Sequence, residues 1–373
     1  MPGIYIHIPF CKSKCGYCGF YSLPSLKLKD RFLEALKEEI TARRDYLGGE
    51  TASTIYFGGG TPSLLSAEEI GSLLHLINKH YPIAPKPEIT LEANPDTLSL
   101  EYLQALRETG INRLSIGIQS FFDNDLQYLG RKHNSEHARN CLAWAKQAGF
   151  DNLSLDLIYG LPTSNAEQWS RNLDLFFEAD IPHLSAYALT LEPNAILTKQ
   201  IEQGKAAPIS DDDALRDYEI LCQRAEKEGF LHYEISNFCR LGMHSKHNAS
   251  YWFGTPYIGF GPSAHSYDGT SRQWNVSSVE KYLDAGLRDA GHETLGPEQQ
   301  YDEYVMLRLR THWGIDLKWM KNKMDQRFSD YCEKQAQPLI AEGRITQTRE
   351  FLYLDDRQML FADGVAERLF WEE

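Results

Sequence analysis

The sequence predicts an α/β protein built on parallel strands, and two features of the chain lead to this fold class. Between residues 3 and 190, six short apolar strands alternate with amphipathic helices, and no long antiparallel section interrupts them. Helices in this region end near Gly110 and Gly149, where glycine suits the left-handed conformation of a helix C-terminus. The alternation is typical of a βα barrel, open or closed. A doubly wound sheet has the same sequence pattern and stays open as an alternative.

Each predicted strand is a run of β-branched, aliphatic or aromatic residues. The first begins at Gly3 and is ended by Pro9. The others cover residues 53–57, 88–93, 113–119, 152–159 and 183–189. Ser66 and Glu69 form a capping box for the helix after the second strand. Because parallel strands place their carboxyl ends at one edge, the residues that follow each strand are expected to meet at one mouth.

Composition and charge exclude some classes of function. The 373-residue chain has a formal net charge of -14, which disfavours nucleic-acid binding, because proteins that bind phosphate backbones usually carry a basic face. No apolar run approaches the roughly 18 residues of a membrane span, and no targeting segment precedes the first strand. Free thiols indicate a reducing compartment. The sequence therefore predicts a cytoplasmic protein and leaves peripheral membrane contact open.

Three of the seven cysteines, Cys11, Cys15 and Cys18, lie in one polar loop directly after the first strand. Three thiolates are one short of the four that fill a [4Fe–4S] cluster, so one iron would stay open to another ligand. Structural zinc would need a fourth ligand, for which the strand residue His7 is near in sequence. An odd number of cysteines without a secretory signal argues against a disulfide framework. The loop therefore favours a cluster with an open iron.

Polar residues recur where the predicted strands end. Glu92 closes the third strand, Gln119 closes the fourth, and Asp156 interrupts the fifth. Singly, each is explained by a buried hydrogen bond, because buried strands seldom hold an unpaired polar group. Glycines at residues 58–60 let backbone amides approach a ligand at the end of the second strand. Together these residues predict one polar site at the mouth.

The cysteine spacing, with Tyr17 before the last cysteine, resembles that of the radical S-adenosylmethionine (SAM) proteins. The resemblance implies an incomplete barrel of six βα units, with SAM bound to the open iron. Within that superfamily the chain is similar to the oxygen-independent coproporphyrinogen III dehydrogenase group. Positions that match SAM contacts in that dehydrogenase are Tyr5, Tyr17, Gly59, Gly60, Thr61, Glu92, Gln119, Arg131 and Asp156. Some of these serve a second SAM there, so the number of SAM molecules stays open.

A second distinctive stretch is His-Asn-Ala-Ser-Tyr-Trp at residues 247–252. A histidine flanked by aromatics is either a packed, hydrogen-bonded residue or a ligand, since neutral imidazole beside flat aromatic surfaces suits axial ligation of haem iron. The HNxxYW pattern resembles the haem-chaperone branch of the same group, which implies haem binding through His247. The other residues expected near haem are the aromatics Tyr251 and Trp252 and the weaker ligand candidates His244 and His265.

The chain changes character towards its C-terminus. A single strand is expected at residues 232–238, and after Pro297 helices precede a hairpin and a last helix to Phe370. This order resembles a winged-helix module, and its mixed charges predict a lid or docking domain rather than a DNA reader. We therefore expect a radical SAM partial (β/α)6 TIM-type barrel with a C-terminal, mainly helical, winged-helix-like domain. The expected limits are 1–235 for the barrel with the cluster loop, 236–295 for a connecting region with the HNxxYW motif, and 296–373 for the C-terminal domain.

Two functions compete. One is the dehydrogenase, in which a radical from SAM drives oxidative decarboxylation of coproporphyrinogen III. The other is a haem carrier that passes haem to an acceptor protein, with the cluster and SAM in a structural, oligomerisation or accessory redox role. Phe20 stands where the dehydrogenase has a further cysteine, and the chain begins ten residues before Cys11, without that enzyme's N-terminal extension. These departures and the HNxxYW motif favour the carrier, while the acceptor's identity and a homodimer stay open.

Overall fold

The main feature of the fold is a twelve-stranded sheet, seen in a computed structural model that describes residues 1–19, 21–285 and 289–372. Phe20, on which one argument for the carrier rests, lies outside the described residues. The strands of the sheet are β1 (Gly3–Ile8), β2 (Ala52–Gly59), β3 (Ile83–Ala93), β4 (Arg113–Gln119), β5 (Asn152–Tyr159), β6 (His183–Ala188), β7 (Leu231–Glu234), β8 (Asn237–Cys239), β9 (Tyr257–Phe260), β10 (His265–Tyr267), β11 (Ser271–Asn275) and β12 (Asp289–Thr294).

The centre of the sheet is parallel and forms an open barrel. Seven neighbouring strands, in the order β9-β1-β2-β3-β4-β5-β6, run in the same direction. Strand β1 pairs with β9, and β6 pairs with β8, so β1 and β6 do not close a ring. The structure thus confirms the partial barrel and shows that it is open rather than closed. Strands β4 and β5 have the limits that the sequence predicted.

Helices connect the parallel strands and cover the outside of the barrel. Successive residues of a strand point to opposite faces, so Ile4, Ile6 and Ile8 of β1 are buried in the apolar core with the helices, whereas Tyr5 and His7 lie on the inner face. The helices of this part are α1 (Lys29–Ala42), α2 (Ala67–His80), α3 (Leu100–Glu108), α4 (Asp123–Tyr128), α5 (Ser135–Gln147), α6 (Ala166–Glu178), α7 (Ile196–Glu202), α8 (Asp211–Lys227), α9 (Lys246–Trp252) and α10 (Val279–Ala285). The predicted capping box is present at the start of α2.

Both edges of the sheet are antiparallel, and one of them corrects an expectation from the sequence. The single strand expected at residues 232–238 is wrong: it is a hairpin of β7 and β8 that turns at Ile235 and Ser236. The buried Glu234 carboxylate accepts hydrogen bonds from the Ser236 amide and the Asn237 side chain, which stabilises a turn that lacks glycine. At the other edge, β9 to β12 extend the sheet beyond β1, so that with β8 the segment expected as a connecting region contributes five strands.

A buried carboxylate attaches this extension to the barrel. Glu39 of α1 is 1 % exposed. It accepts hydrogen bonds from the Gly261 amide at 2.8 Å, the Tyr282 hydroxyl at 2.7 Å, the Asn275 amide at 2.7 Å and the Arg43 guanidinium at 3.1 Å. Because four donors from separate parts of the chain meet at one carboxylate, Glu39 sets the position of β9 and β11 against α1.

The C-terminal part has its own apolar core and a three-stranded sheet in the order β13-β15-β14. Its elements are α11 (Pro297–Leu309), β13 (Ile315–Asp316), α12 (Leu317–Lys323), α13 (Gln326–Ala341), β14 (Thr346–Thr348), β15 (Phe351–Tyr353) and α14 (Ala362–Glu367). This is the expected winged-helix-like order, although the last helix ends at Glu367 rather than Phe370. Backbone hydrogen bonds from Ile235 to Arg310 and from His312 to Tyr233 join it to the β7–β8 hairpin. The exact domain limits stay a prediction.

None of the helices in the described part of the chain combines the length and apolar character needed to span a bilayer.

We expect Glu39→Gln to lower the free energy of unfolding by about 2–4 kcal/mol, because a glutamine amide cannot accept from four donors and leaves the partly buried Arg43 charge without its carboxylate. Urea denaturation would measure this loss. Glu34→Gln on the same helix is the matched control, since Glu34 is solvent-exposed, and its effect should stay within ~0.5 kcal/mol. Equal effects for the two variants would contradict the role of Glu39 in setting the position of β9 and β11 against α1.

Candidate functional site

The cysteine loop lies directly after β1, at the carboxyl ends of the parallel strands, as the sequence predicted. Backbone hydrogen bonds fix it from three directions: Cys11 N to Leu23 O at 3.0 Å, Gly16 N to Leu129 O at 3.0 Å, and Leu197 N to Gly16 O at 2.8 Å. A loop held at both its start and its middle presents its side chains from a defined backbone. The three cysteines are partly exposed, in contrast to the buried thiols elsewhere in the chain.

Two polar side chains contact the cluster-loop sulfurs. The Thr61 hydroxyl donates to Cys11 Sγ at 3.5 Å, and Arg131 Nη1 donates to Cys15 Sγ at 3.5 Å. Arg131 also donates to Asn94 Oδ1 at 2.7 Å, and Asn94 in turn donates to Thr61 Oγ1 at 2.9 Å. Burial acts to lower the pKa of Arg131, but the neighbouring Tyr17 and Cys15 act to raise it by more. The pKa of Arg131 therefore lies above its ordinary value. Arg131 therefore stays cationic and stabilises thiolate charge.

The glycine turn after β2 is required by close backbone contacts. Gly59 has φ +107, a conformation that favours glycine. A Cβ on Gly60 would lie 2.6 Å from the Phe10 carbonyl oxygen, so no larger residue fits without moving the cysteine loop. The Gly60 and Thr61 amides donate to Ile8 O at 2.8 Å and Phe10 O at 2.7 Å. The turn thus packs directly against the segment that leads into Cys11.

A cavity of about 500 Å³ opens at this mouth, a size typical of small-molecule sites. The predicted site residues that line it are Cys11, Cys15, Tyr17, Cys18, Gly59, Gly60, Thr61, Glu92, Gln119, Arg131 and Asp156. Tyr5 lies instead on two adjoining cavities. In the described part of the chain, no three His, Cys, Asp or Glu side chains are close enough to hold a single metal ion. All three cysteine thiols line the same cavity, as binding of one cluster with several iron atoms requires.

Burial controls the charge of two of the carboxylates that line the cavity, those of Glu92 and Asp156. Burial raises the pKa of Glu92 to about 7, against hydrogen bonds from the Tyr56 hydroxyl at 2.7 Å and the Gly59 amide at 3.2 Å. Burial also raises the pKa of Asp156, which accepts from Ser115 at 3.2 Å. A cationic ligand beside Glu92 would favour its ionised form. Glu92 is therefore suited to a positively charged group such as an ammonium or sulfonium.

Sequence reasoning missed several residues of the mouth. Tyr56 and Asn94 orient Glu92 and Arg131, but nothing in their sequence positions distinguishes them from ordinary strand and loop residues. Gln119 was predicted, and the structure adds that it has φ 69 while buried. A left-handed non-glycine residue is costly. The strain at Gln119 directs the end of β4 into the cavity.

The HNxxYW motif forms helix α9, which lies at the opposite end of the barrel from the cysteine loop. His247 packs beside Gly3 at the start of β1, where a Cβ would lie 3.1 Å from the imidazole. Its backbone amide donates to Glu88 Oε1 at 3.1 Å. The imidazole enters the barrel and stacks on Tyr56 at a centroid distance of 5.0 Å. The motif therefore contributes to the interior of the barrel rather than to its surface.

Both ring nitrogens of His247 face a hydroxyl group. Nδ1 lies 2.8 Å from Thr54 Oγ1, and Nε2 lies 2.8 Å from the Tyr251 hydroxyl. Burial, with a smaller contribution from Arg113, lowers the pKa of His247 to about 3, so the imidazole is neutral at neutral pH. A neutral imidazole with one nitrogen held by a hydrogen bond has the form of a metal-ligating histidine. Ligation through Nε2 requires that the Tyr251 hydroxyl move away.

The other residues predicted near haem are dispersed. Tyr251 lines a cavity of about 190 Å³ with His247 and a second cavity of about 360 Å³ with His265. Trp252 is half-buried at the end of α9 and lines neither of them. His244 is in ring contact with Tyr233 and Trp313, away from these cavities. The structure therefore brings Tyr251 and His265 close to the interior and separates Trp252 and His244 from it.

Comparisons with known proteins agree with this architecture. Residues 5–176 match the radical SAM superfamily, and residues 295–361 match the HemN C-terminal domain. The solved structure of the radical SAM enzyme coproporphyrinogen III oxidase (HemN) from Escherichia coli matches with a TM-score of 0.86 and 24% identity, over 99% of this chain and 90% of that chain. The open barrel with its cysteine loop is thus that of a radical SAM protein, a class that implies a [4Fe–4S] cluster and SAM.

Proteins named heme chaperone HemW are similar to this chain over nearly its whole length and show which family it belongs to. The heme chaperone HemW of Mycobacterium tuberculosis is 36% identical over 375 residues, covering 98% of this chain and 94% of the relative. The heme chaperone HemW of Bacillus subtilis is 34% identical over 372 residues, with 98% of each chain covered. That of Escherichia coli is 31% identical over 377 residues, with 98% and 97% covered. The chain belongs to the HemW family.

The lowered pKa of His247 predicts a pH dependence of stability. Because the folded-state pKa lies near 3 and the ordinary value is about 6.5, the unfolded chain takes up a proton that the folded protein does not. The stability is therefore fully present above pH 6.5 and is lost as the pH falls towards 3, by up to ~1.4 kcal/mol per pH unit for this group. We expect His247→Gln to reduce the slope of unfolding free energy against pH, measured by urea denaturation between pH 7 and 4.5, by about one proton. Exposed His75→Gln is the control, and an unchanged slope in His247→Gln would count against a neutral buried imidazole.

Proposed function

We propose that this protein is a haem chaperone, which binds haem and a SAM-ligated [4Fe–4S] cluster and transfers haem to an acceptor protein. The observation that carries the proposal is the position of His247, a neutral imidazole held inside the barrel with one nitrogen fixed by Thr54. The relatives named heme chaperone HemW, matched over nearly the whole chain, support the same function. A cluster on reduced thiolates also fits the cytoplasm expected from the sequence.

The residues at the mouth fit a cluster and SAM. Cys11, Cys15 and Cys18 would hold three irons, and the amino and carboxylate groups of SAM would occupy the fourth. The Gly59–Thr61 turn offers backbone polar groups beside the cluster loop, and Glu92 offers a carboxylate for the positive charge of SAM. When bound, the cluster supplies electrons to SAM. The chain's own residues orient SAM and limit access of water to the cluster.

The interior of the barrel fits haem ligation by His247. Metal-ligating histidines commonly donate their second N–H to an oxygen, which fixes the tautomer. Thr54 Oγ1 is placed to accept from Nδ1, which leaves the Nε2 lone pair to the Tyr251 hydroxyl. Release of that hydroxyl exposes Nε2 to the cavities that Tyr251 lines. Tyr251 then acts both as a packing surface and as a competitor for the ligand nitrogen.

A second candidate is the coproporphyrinogen III dehydrogenase activity. It is favoured by the TM-score of 0.86 to HemN and by the intact cysteine mouth. We rank it below the carrier, because likeness at 24% identity concerns the fold and function resides in site residues rather than in the fold. In particular, Phe20 occupies the position of a further cysteine in the dehydrogenase group.

The cluster assignment predicts that Cys15→Ser, prepared without oxygen, loses most of its iron and sulfide, because two thiolates and a serine hold a [4Fe–4S] cluster poorly. Iron and sulfide analysis with resonance spectroscopy would measure this. Cys222→Ser is the matched control, since Cys222 is buried away from the mouth, and it should keep a full cluster. Full cluster content in Cys15→Ser, or zinc in place of iron in the unmodified protein, would contradict the assignment.

The carrier function predicts that reconstituted protein retains haem at about one per chain and does not convert coproporphyrinogen III to protoporphyrinogen IX. His247→Ala should alter the haem absorption spectrum and weaken binding about tenfold, while the cluster survives at the other end of the barrel. Tyr251→Phe should keep the packing but remove a competing hydrogen bond of about 1 kcal/mol, which tightens haem binding about fivefold. Spectral titration with haem measures both effects.

Sustained decarboxylation of coproporphyrinogen III that disappears in Cys15→Ser would overturn the carrier and establish the dehydrogenase. An unchanged haem spectrum and affinity in His247→Ala would reject His247 as the ligand. The same titration of Trp252→Ala tests the contact with haem that the sequence predicts for Trp252. A contact would make the variant retain haem less well with little change in the spectrum, whereas unchanged retention would agree with the separation of Trp252 from the two cavities.

A further inference from the structure

A cavity at the open edge of the barrel adjoins the predicted SAM site, with which it shares Tyr5, Gly59 and Glu92, and extends beyond it to residues assigned to neither SAM nor the cluster. It has a volume of about 360 Å³ and lies between β1, β9 and the start of β10, on the inner face of the sheet. Its aromatic lining consists of Tyr5, His7, Tyr21, Tyr251, Tyr257 and His265. Glu92 and Gly59 line both this cavity and the larger one at the mouth, so the two cavities adjoin.

The lining favours a flat, uncharged ring. Four tyrosines and two histidines offer ring surfaces, and Tyr251 and Tyr257 meet edge to face at 4.7 Å. No lysine or arginine occurs among the described residues that line this cavity, and the carboxyl group of Glu92 does. An anionic ligand would therefore be disfavoured inside. A ligand with carboxylate substituents must direct them outwards, towards the exposed His265.

His7 supplies a buried nitrogen in this cavity. The residue is 7 % exposed, and its Nδ1 lies 3.0 Å from the Tyr5 hydroxyl. Its Nε2 is buried and forms no hydrogen bond of normal geometry to the described residues. Burial lowers the pKa of His7 to about 4, which a contact with the backbone of Tyr21 offsets only in part. The imidazole is thus neutral, and one nitrogen is in place for a ligand.

The cavity also lies next to the predicted haem ligand. Tyr5 stacks on the His247 ring at a centroid distance of 6.3 Å, and Tyr251 bonds to His247 Nε2. Tyr5 and Tyr251 also line the 360 Å³ cavity and thus lie between it and His247. Displacement of the Tyr251 hydroxyl would therefore expose His247 to this space.

We propose that this cavity takes the ring of the tetrapyrrole with its propionates pointing outwards, and that His7 Nε2 is an iron ligand there in addition to His247. This inference rests on the proposed function, because it states how and in which orientation haem is held. The Tyr5 hydroxyl has the role of an orienting partner, since it accepts from His7 Nδ1 and leaves Nε2 with a lone pair.

The test uses the full chain with its cluster reconstituted and titrates it with haem and with metal-free protoporphyrin. His7→Phe keeps a ring against Gly59 and removes the nitrogen. It should change the haem absorption and resonance spectra and weaken haem binding about tenfold, while the affinity for metal-free protoporphyrin changes less than twofold. His75→Phe on the exposed face of α2 is the matched control and should behave as the unmodified protein.

A second measurement needs no substitution. Carbethoxylation of histidines, followed by mass spectrometry, should show that haem protects His265 at the mouth of the cavity but not the exposed His75. If His7→Phe keeps its cluster and secondary structure yet binds haem with the same spectrum and affinity, or if haem leaves His265 unprotected, the proposed site is wrong while the carrier function stands. Failure of the unmodified protein to retain haem would instead reject the proposed function itself.

Discussion

The desolvation of polar side chains inside an open barrel is the constraint on which the rest of this structure depends. The inner faces of the parallel strands carry tyrosine, histidine and carboxylate side chains where a closed barrel usually carries aliphatic ones. Because charge is costly in such a space, burial raises the pKa of Glu92 to about 7 and lowers that of His247 to about 3. The His247 imidazole is therefore neutral and the Glu92 carboxyl is partly protonated at neutral pH, while Arg131 at the mouth stays cationic. A cationic ligand would favour the ionised form of Glu92, and a metal could bind the lone pair of the neutral His247 imidazole.

The open edge of the barrel follows from a second interaction. Strand β9 adds to β1 in parallel and prevents closure of the ring, and the Glu39 carboxylate holds β9 and β11 in place. A closed sheet would bring β1 against β6 and fill the space that the tyrosines and histidines now line. The extension also carries His265 to the outer end of that space. The same few hydrogen bonds that stabilise the fold thus keep the interior accessible from the side.

The cysteine loop and the motif helix α9 are separated along the strands. The cysteine loop follows the carboxyl end of β1, whereas the motif helix α9 lies at the amino ends of β1 and β2. Glu92, Tyr56 and Tyr5 occupy the space between them. A ligand at either end would therefore contact residues that are linked, through hydrogen bonds or ring stacking, to residues at the other end. This arrangement suits a protein in which two bound groups influence each other without sharing ligands.

The parallel βα fold, the cysteine loop, the glycine turn and the polar strand ends could all be predicted from the sequence, because they depend on local spacing and on the alternation of residues along strands. Prediction from the sequence failed at residues 232–238, where a turn without glycine or proline has no local signal and is stabilised by the buried Glu234 carboxylate. The hydrogen bonds and burial of His247 depend on contacts that are distant in the sequence. Its partner Thr54 is 193 positions away in the sequence, and no spacing rule predicts which hydroxyl a buried imidazole meets. The surroundings of His7 likewise depend on packing, since the order of strands β9-β1-β2 places Gly59 of β2 and the edge cavity beside it.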